Sequence, residues 1–317
     1  MSEPTLAGVS SSDSIGTPSG IVPASPPQAS PERIGSLASD AWRDLRRRPL
    51  FIISAMVILL AILMSIFPGL FTSTDPLASD LAKSNQGPSA QAWFGTDLQG
   101  HDVFARCIYG TRYSLSVGVL ATLGTTIVGV TVGVFAAYYG GWLDGLLSRI
   151  ADAFLGIPFM LGAIVILTTF SVSSTVGIVA LVVLSLVVLG WPVPTRIMRS
   201  SMIQAKQADY VAAARSMGAS TPRIILRHLL PNCLAPTLVY ATISLGAFIG
   251  AEATLSYLGI GLHAPVVSWG VMISDSQTYL RDAPFALLFP AMFLSITVLA
   301  FVMLGDAVRQ ALDPKLR

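Results

Sequence analysis

Glu252 sits in the run AFIGAEATLSYLGIG, with Ser256 one helical turn later on nearly the same face. An ionisable side chain within a membrane-length apolar segment is costly, and it normally faces a bundle interior or water. Two roles fit Glu252 and Ser256: contact with cargo or a gate, and fixing of helix ends or packing beside a pore. A second group, Gly95, Thr96, Asp97, Gly100, Asp102 and Arg106, lies in WFGTDLQGHDVFARCIYGTRYSLSVG. Gly95-Thr96-Asp97 reads as a turn, because Thr and Asp side chains bond nearby backbone. Asp97 and Asp102 are placed to meet Arg106 or Arg112, as structural glue at the mouth of a pore in preference to direct cargo contact. His101, His228 and His263 lack metal-ligand spacing. The two cysteines, Cys107 and Cys233, fall on opposite sides of the membrane in the topology below, so no disulfide or Cys-based metal site follows. Lys83, Lys206 and Lys315 follow Ala82, Ala205 and Pro314, so no Gly-Lys-Ser/Thr loop cradles ATP. With no hydrolase signature either, the chain is not expected to be an enzyme.

These residues must be positioned by membrane helices. The 317 residues are 53% apolar and only 11% charged, with a mean hydropathy of +0.70, against about 25% charged in a soluble domain. A spanning helix needs about 20 apolar residues. Six segments qualify, at 50–70, 113–139, 151–171, 175–194, 234–258 and 285–305, the fourth being the shortest. With the N-terminus cytoplasmic, only Lys83, Arg106, Arg112 and Arg281 of the basic residues fall outside, so both termini are placed inside. Residues 1–35 read as a disordered Ser/Pro-rich cytoplasmic tail. Residues 36–111 hold a surface helix near Ser36–Arg48, the first span and an extracytoplasmic segment. Residues 112–306 hold the remaining spans, and 307–317 form a cytoplasmic C-terminal tail. Gly129 and Gly133 allow close helix approach, and Gly246 and Gly250 do the same, with a partner subunit as one candidate neighbour. Arg149 and Asp152, three residues apart on one helix, are expected to pair.

Between two apolar blocks lies DYVAAARSMGASTPRIILRHLLPN, Asp209 to Asn232. Tyr210 to Met217 has the composition of a short helix, and Gly218 is where it would stop. Ser220 or Thr221 can cap a second helix with Pro222 in its first turn, and Pro231 would end or kink it. The product is a helix, a Gly bend and a second helix, polar enough to lie outside the bilayer and ordered enough to dock a partner.

This stretch resembles the coupling loop of the membrane subunits of ABC importers, on Ala213, Ala214, Gly218, Leu230 and Pro231. Ala212 stands where the family has Glu, and His228 where it has Ile. The ending I-L-R-H-L-L-P-N, the G-T-D-x-x-G-x-D run, A-E-x-x-L-S-Y-L-G-x-G and the terminal GDAVRQALDP resemble its peptide and nickel branch, in order, from about residue 40 to the end. The resemblance implies an all-α permease fold of the type I importer, with six spans, in a prokaryotic cytoplasmic membrane. It implies a second homologous permease, two ATPase subunits that carry ATP and Mg, and an extracytoplasmic binding protein for di- or oligopeptides. It marks Tyr210, Ala213, Ala214, Arg215, Gly218, Ala219, Arg223, Leu230 and Pro231 as the coupling surface. Membrane lipid is the surrounding medium, and nothing points to nucleic acid. Alternatives are a nickel permease, an ion-coupled carrier using Glu252 and a non-transporting scaffold or sensor.

Overall fold

Long runs of Leu, Ile, Val and Ala leave the backbone one economical way to satisfy its polar groups in lipid, which is a helix. A computed structural model of the chain describes residues 45–46 and 48–312, all within the unit Leu37–Arg317. The expected disordered tail 1–35, most of the surface helix near Ser36–Arg48 and residues 313–317 lie outside the described residues. The regular elements described are helical. The one β-type pairing among the described residues is an isolated bridge between Thr96 and Asp102.

Four helices are long and apolar enough to cross a membrane: α1 (Pro49–Ile66), α2 (Val103–Tyr139), and, after four intervening helices and the short α7, α8 (Thr221–Tyr257) and α10 (Pro284–Leu312). Two bent pairs raise the count to six if each pair is one span. Helices α3 (Gly141–Leu155) and α4 (Phe159–Thr169) meet at 85°, and α5 (Thr175–Gly190) and α6 (Pro192–Ala205) at 44°. A short α7 (Asp209–Ser216) follows α6, and α9 (Trp269–Ser276) lies between α8 and α10.

The third span therefore differs from the straight 151–171 helix that the apolar pattern predicts. Pro158 cannot donate into a helix and would clash with the carbonyl four residues back, so the chain turns at Gly156-Ile157-Pro158. Helix α4 keeps only 11 residues, roughly 16 Å, about half of a hydrocarbon core. The fourth span ends at Gly190, because Pro192 and Pro194 start a new helix there. Helix α2 starts at Val103, not near 113. At 37 residues it is roughly 55 Å long, well beyond the about 30 Å of a hydrocarbon core, and the segment before it ends at Asp102. At the other end α10 runs to Leu312, through the first part of the expected tail.

Helix α2 is the central mast. Gly129 and Gly133 bring it against α6: a Cβ on Gly129 would lie 2.6 Å from Pro194 Cγ, and one on Gly133 2.7 Å from the Thr195 carbonyl oxygen. Gly246 seats α8 on α10, at Val298 and Phe301, whereas Gly250 has no neighbour within 4 Å. A core of Val117, Ala121, Leu186, Phe248 and Leu255 ties α2, α5 and α8 together.

Candidate functional site

The stretch after α6 forms the helix, Gly bend and second helix read from the sequence. Asp209 starts α7 and Arg215 lies in its last turn, each favourable to the helix dipole. Val211 and Ala214 turn inward onto Met198, Met202, Ile224, Leu229 and Cys233. The helix closes in a Schellman motif: the Gly218 N–H bonds the Arg215 carbonyl at 2.9 Å and the Ala219 N–H bonds the Ala214 carbonyl at 3.0 Å. Gly218 has φ +76°, which L side chains rarely adopt. Its own surroundings are empty within 4 Å, so the requirement for Gly is conformational. Tyr210, Ala213 and Arg215 are exposed, and Met217 at the tip is 80% exposed.

Ser220 takes the N-cap position of α8, but its side chain makes no capping bond. Pro231 does not end the second helix. A π turn over Ile224–Leu229 widens the helix just before it, and the Leu230 N–H reaches back to the Ile225 carbonyl. The wider turn relieves the contact between a proline ring and the preceding turn, and α8 continues into the membrane. The same turn presents Arg227 and His228, with Arg223 just before it, beside Ala214, Met217 and Ala219 around a recess of about 380 Å³.

Glu252 is fully buried on α8. The Ser256 hydroxyl donates to its Oε1 at 2.8 Å and the Ser268 hydroxyl does so at 3.0 Å. Each serine oxygen also accepts a backbone N–H, Ser256 from Leu262 at 2.9 Å and Ser268 from Val271 at 3.2 Å. The next residue, Trp269, donates its backbone N–H to Ser114 at 3.2 Å and its indole N–H to the Cys107 carbonyl at 3.0 Å. The carboxylate thus joins α8, the turn after it and α9, and α9 is in turn held on α2. In this conformation Glu252 has no surface facing water.

Outside the membrane, Asp97 Oδ1 accepts the N–H groups of Gln99 and His101, each at 2.9 Å. Asp97 Oδ2 lies 3.0 Å from His101 Nδ1 and pairs with Arg106. Thr96 accepts the Gln86 N–H at 3.0 Å and donates to the Lys83 carbonyl. Gly95 and Gly100 take positive φ to close the turns, and a Cβ on Gly100 would strike Asp80. Asp102 does not meet an arginine. It caps α2, accepting from Phe104 at 2.9 Å. Arg112 turns instead to the Ser65 carbonyl at 3.1 Å.

The sequence matches the family described as "Binding-protein-dependent transport system inner membrane component" over residues 129–317. It also matches the "N-terminal TM domain of oligopeptide transport permease C" over residues 36–88. It is 39% identical over 295 residues to the "Dipeptide transport system permease protein DppC" of Alkalihalophilus pseudofirmus, covering 93% of this chain and 95% of that protein. To the "Oligopeptide transport system permease protein OppC" of Bacillus subtilis it is 36% identical over 290 residues, covering 90% and 93%. The chain belongs to the family of binding-protein-dependent inner membrane permeases. The fold is shared with an inward-facing MetNI methionine ABC transporter, at TM-score 0.52 and 22% identity over 66% of this chain and 96% of that one. Family membership replaces the ion-coupled carrier and the sensor readings.

In this permease the expected Arg149–Asp152 pair is not the one formed. Asp152 pairs with Arg196 of α6, and Asp144 receives Arg199 through two bonds of 2.5 and 2.7 Å. The bend between α3 and α4 lays α3 along α6, which makes these partners available. Three further residues were missed in the sequence. Asp275 of α9 lies 3.6 Å from the Arg106 guanidinium and shares a 170 Å³ cleft with Asn85, Asp97 and Tyr279. Burial raises the Asp275 carboxyl above its ordinary range, against the opposing pull of Arg106. Lys206 donates to the Tyr138 carbonyl at 2.7 Å, tying the end of α6 to the end of α2, as a basic group at a helix C-terminus does. Met217 forms the exposed tip. Among the described residues no group of three or more His, Cys, Asp or Glu could hold a metal ion.

Proposed function

We propose that the permease imports di- or oligopeptides as one of two homologous membrane subunits, served by an extracytoplasmic binding protein. ATP and Mg bind on two partner ATPases, one seated on α7. The observation that carries the coupling role is the ordered, outward-facing helix Asp209–Ser216, closed at a left-handed Gly218 and tipped by Met217. Relatives along nearly the whole chain are named for dipeptide and oligopeptide transport, which supports the cargo class. Both termini and the coupling loop lie in the cytoplasm, a placement supported by the bias of Lys and Arg towards those segments. There the loop meets cytoplasmic ATP.

Closure of the ATPases on ATP would move α7. The two ion pairs between α3 and α6 and the glycine contact between α2 and α6 carry that movement into the spans. The physical requirement is a bundle with two arrangements whose balance ATP shifts. The Asp97–Arg106–Asp275 cluster is assigned a structural role at the outer mouth, and Glu252 with Ser256 a packing role beside the path. The test is to tag the C-terminus, solubilise native membranes mildly and identify co-purifying chains. A second permease and ATP-binding subunits are expected, with ATP-dependent uptake of a labelled dipeptide in vesicles. Recovery of this chain alone, under conditions that keep a known membrane complex together, would overturn the assembly.

A further inference from the structure

A groove between α2 and α5 has no assigned role. Helices α2 and α5 touch where a Cβ on Gly124 would lie 2.5 Å from Val187. Towards the outer ends the two helices splay apart and leave an apolar space of about 570 Å³, walled by Tyr113, Leu120, Val176, Val179 and Val183. From the touching point the groove runs 12 residues up each helix, to Arg112 and to Thr175. That is roughly 18 Å at 1.5 Å per residue, close to the depth of one leaflet of a core about 30 Å thick. Its walls remain open to the surroundings: Leu120 is 48% and Val176 79% exposed. No acidic side chain lines it among the described residues, and Arg112 stands at its outer end, anchored by the Ser65 carbonyl.

We propose that this groove holds one acyl chain of a phospholipid whose phosphate meets Arg112. The shape decides against a helix of a neighbouring subunit. A spanning helix is about 10 Å across and packs along ridges that run its whole length, whereas this groove closes part-way, at Gly124 and Val187. A single chain ends where the groove ends. The cation at the open end matches the lipid phosphate, as basic residues at membrane surfaces do. That the lipid belongs to the outer leaflet rests on the orientation proposed above; the groove itself does not.

The test reconstitutes the purified complex in vesicles containing phosphatidylglycerol with a photoreactive acyl chain. Labelled peptides are mapped by mass spectrometry. Labelling is expected to concentrate on the groove faces of α2 and α5 over the lipid-exposed face of α1, and to fall several-fold in Val183→Trp, which fills the groove. Arg112→Gln leaves the apolar walls intact and serves if the tryptophan variant does not fold; it is expected to lower retained phosphatidylglycerol about fivefold. Groove labelling no stronger than that of α1, labelling unchanged in both variants, or cross-links from the groove to another polypeptide would each overturn the assignment.

Discussion

Ser268 and Glu252, sixteen residues apart in the chain, are joined by a 3.0 Å hydrogen bond in a site with no water access. The serine also accepts the Val271 N–H, so a single hydroxyl links the start of α9 to the last turns of α8. Removing it takes the side-chain acceptor from the buried Val271 N–H. It leaves Oε1 with Ser256 as its one donor, beside an Oε2 that has no hydrogen-bond partner among the described residues.

Ser268→Ala is therefore expected to destabilise the permease by about 1–3 kcal/mol. The melting temperature in mild detergent should fall, and peptide uptake should fall with it. Glu252→Ala should cost more, because the Ser256 and Ser268 hydroxyls then lose a common acceptor, while Glu252→Gln keeps one acceptor oxygen and should be milder. Full stability with lost uptake in Glu252→Ala would instead place Glu252 in contact with cargo.

At Gly218 the space is open and the backbone angle is the constraint. Gly218→Ala is expected to cost roughly 1 kcal/mol and to weaken ATPase retention modestly. Gly218→Pro cannot adopt φ +76° and should abolish uptake and ATPase co-purification while insertion persists. Normal uptake by Gly218→Pro would refute the coupling role of α7.

The contact between α2 and α6 is a matter of volume. A Cβ at Gly133 would lie 2.7 Å from a backbone oxygen and 2.9 Å from Met198 Cβ. Gly133→Leu is expected to destabilise by about 1–3 kcal/mol or more through overpacking, measured as thermal unfolding in detergent. Gly250→Ala, with no neighbour within 4 Å, should be tolerated by the isolated subunit. Loss of the second permease in that variant would reveal an intersubunit contact at Gly250.

Asp275 provides a pH signature. Its carboxyl is raised by burial from an ordinary value of 3.8. As pH rises through 3.8, the unfolded chain ionises this group before the folded permease does, so the folded state binds the extra proton and loses stability with rising pH. The melting temperature of the native permease minus that of Asp275→Asn is expected to decrease from pH 3.8 upward and level off above the raised value. A difference that stays flat across this range would remove Asp275 from the titrating set.

The local sequence determined most of the element plan and the helix, bend and helix that begin at Asp209. Apolar runs of membrane length become helices wherever nothing breaks them, because lipid offers the backbone no other partner. Gly218 stops α7 through its own conformational freedom, and Gly95-Thr96-Asp97 closes a turn in which Asp97 bonds nearby backbone. All of these depend on residues within a few positions of each other, which is why they can be read along the chain.

Tertiary structure decided what those elements do to each other. The 85° bend at Pro158 turned an expected span into two helices, and by laying α3 along α6 it gave Asp152 to Arg196 instead of Arg149. Pro231 looked like a helix end until a π turn upstream made room for it. Asp275 gave no signal in the sequence, because only the packing of α9 brings it to Arg106. The residues around Glu252 come from α2, α8, the turn after α8 and α9, so its role depends on how they converge. Spacing along a chain fixes helix faces and turns. The choice of partner for a buried charge is made by geometry between distant segments, where the cost of leaving any polar group unpaired selects the arrangement.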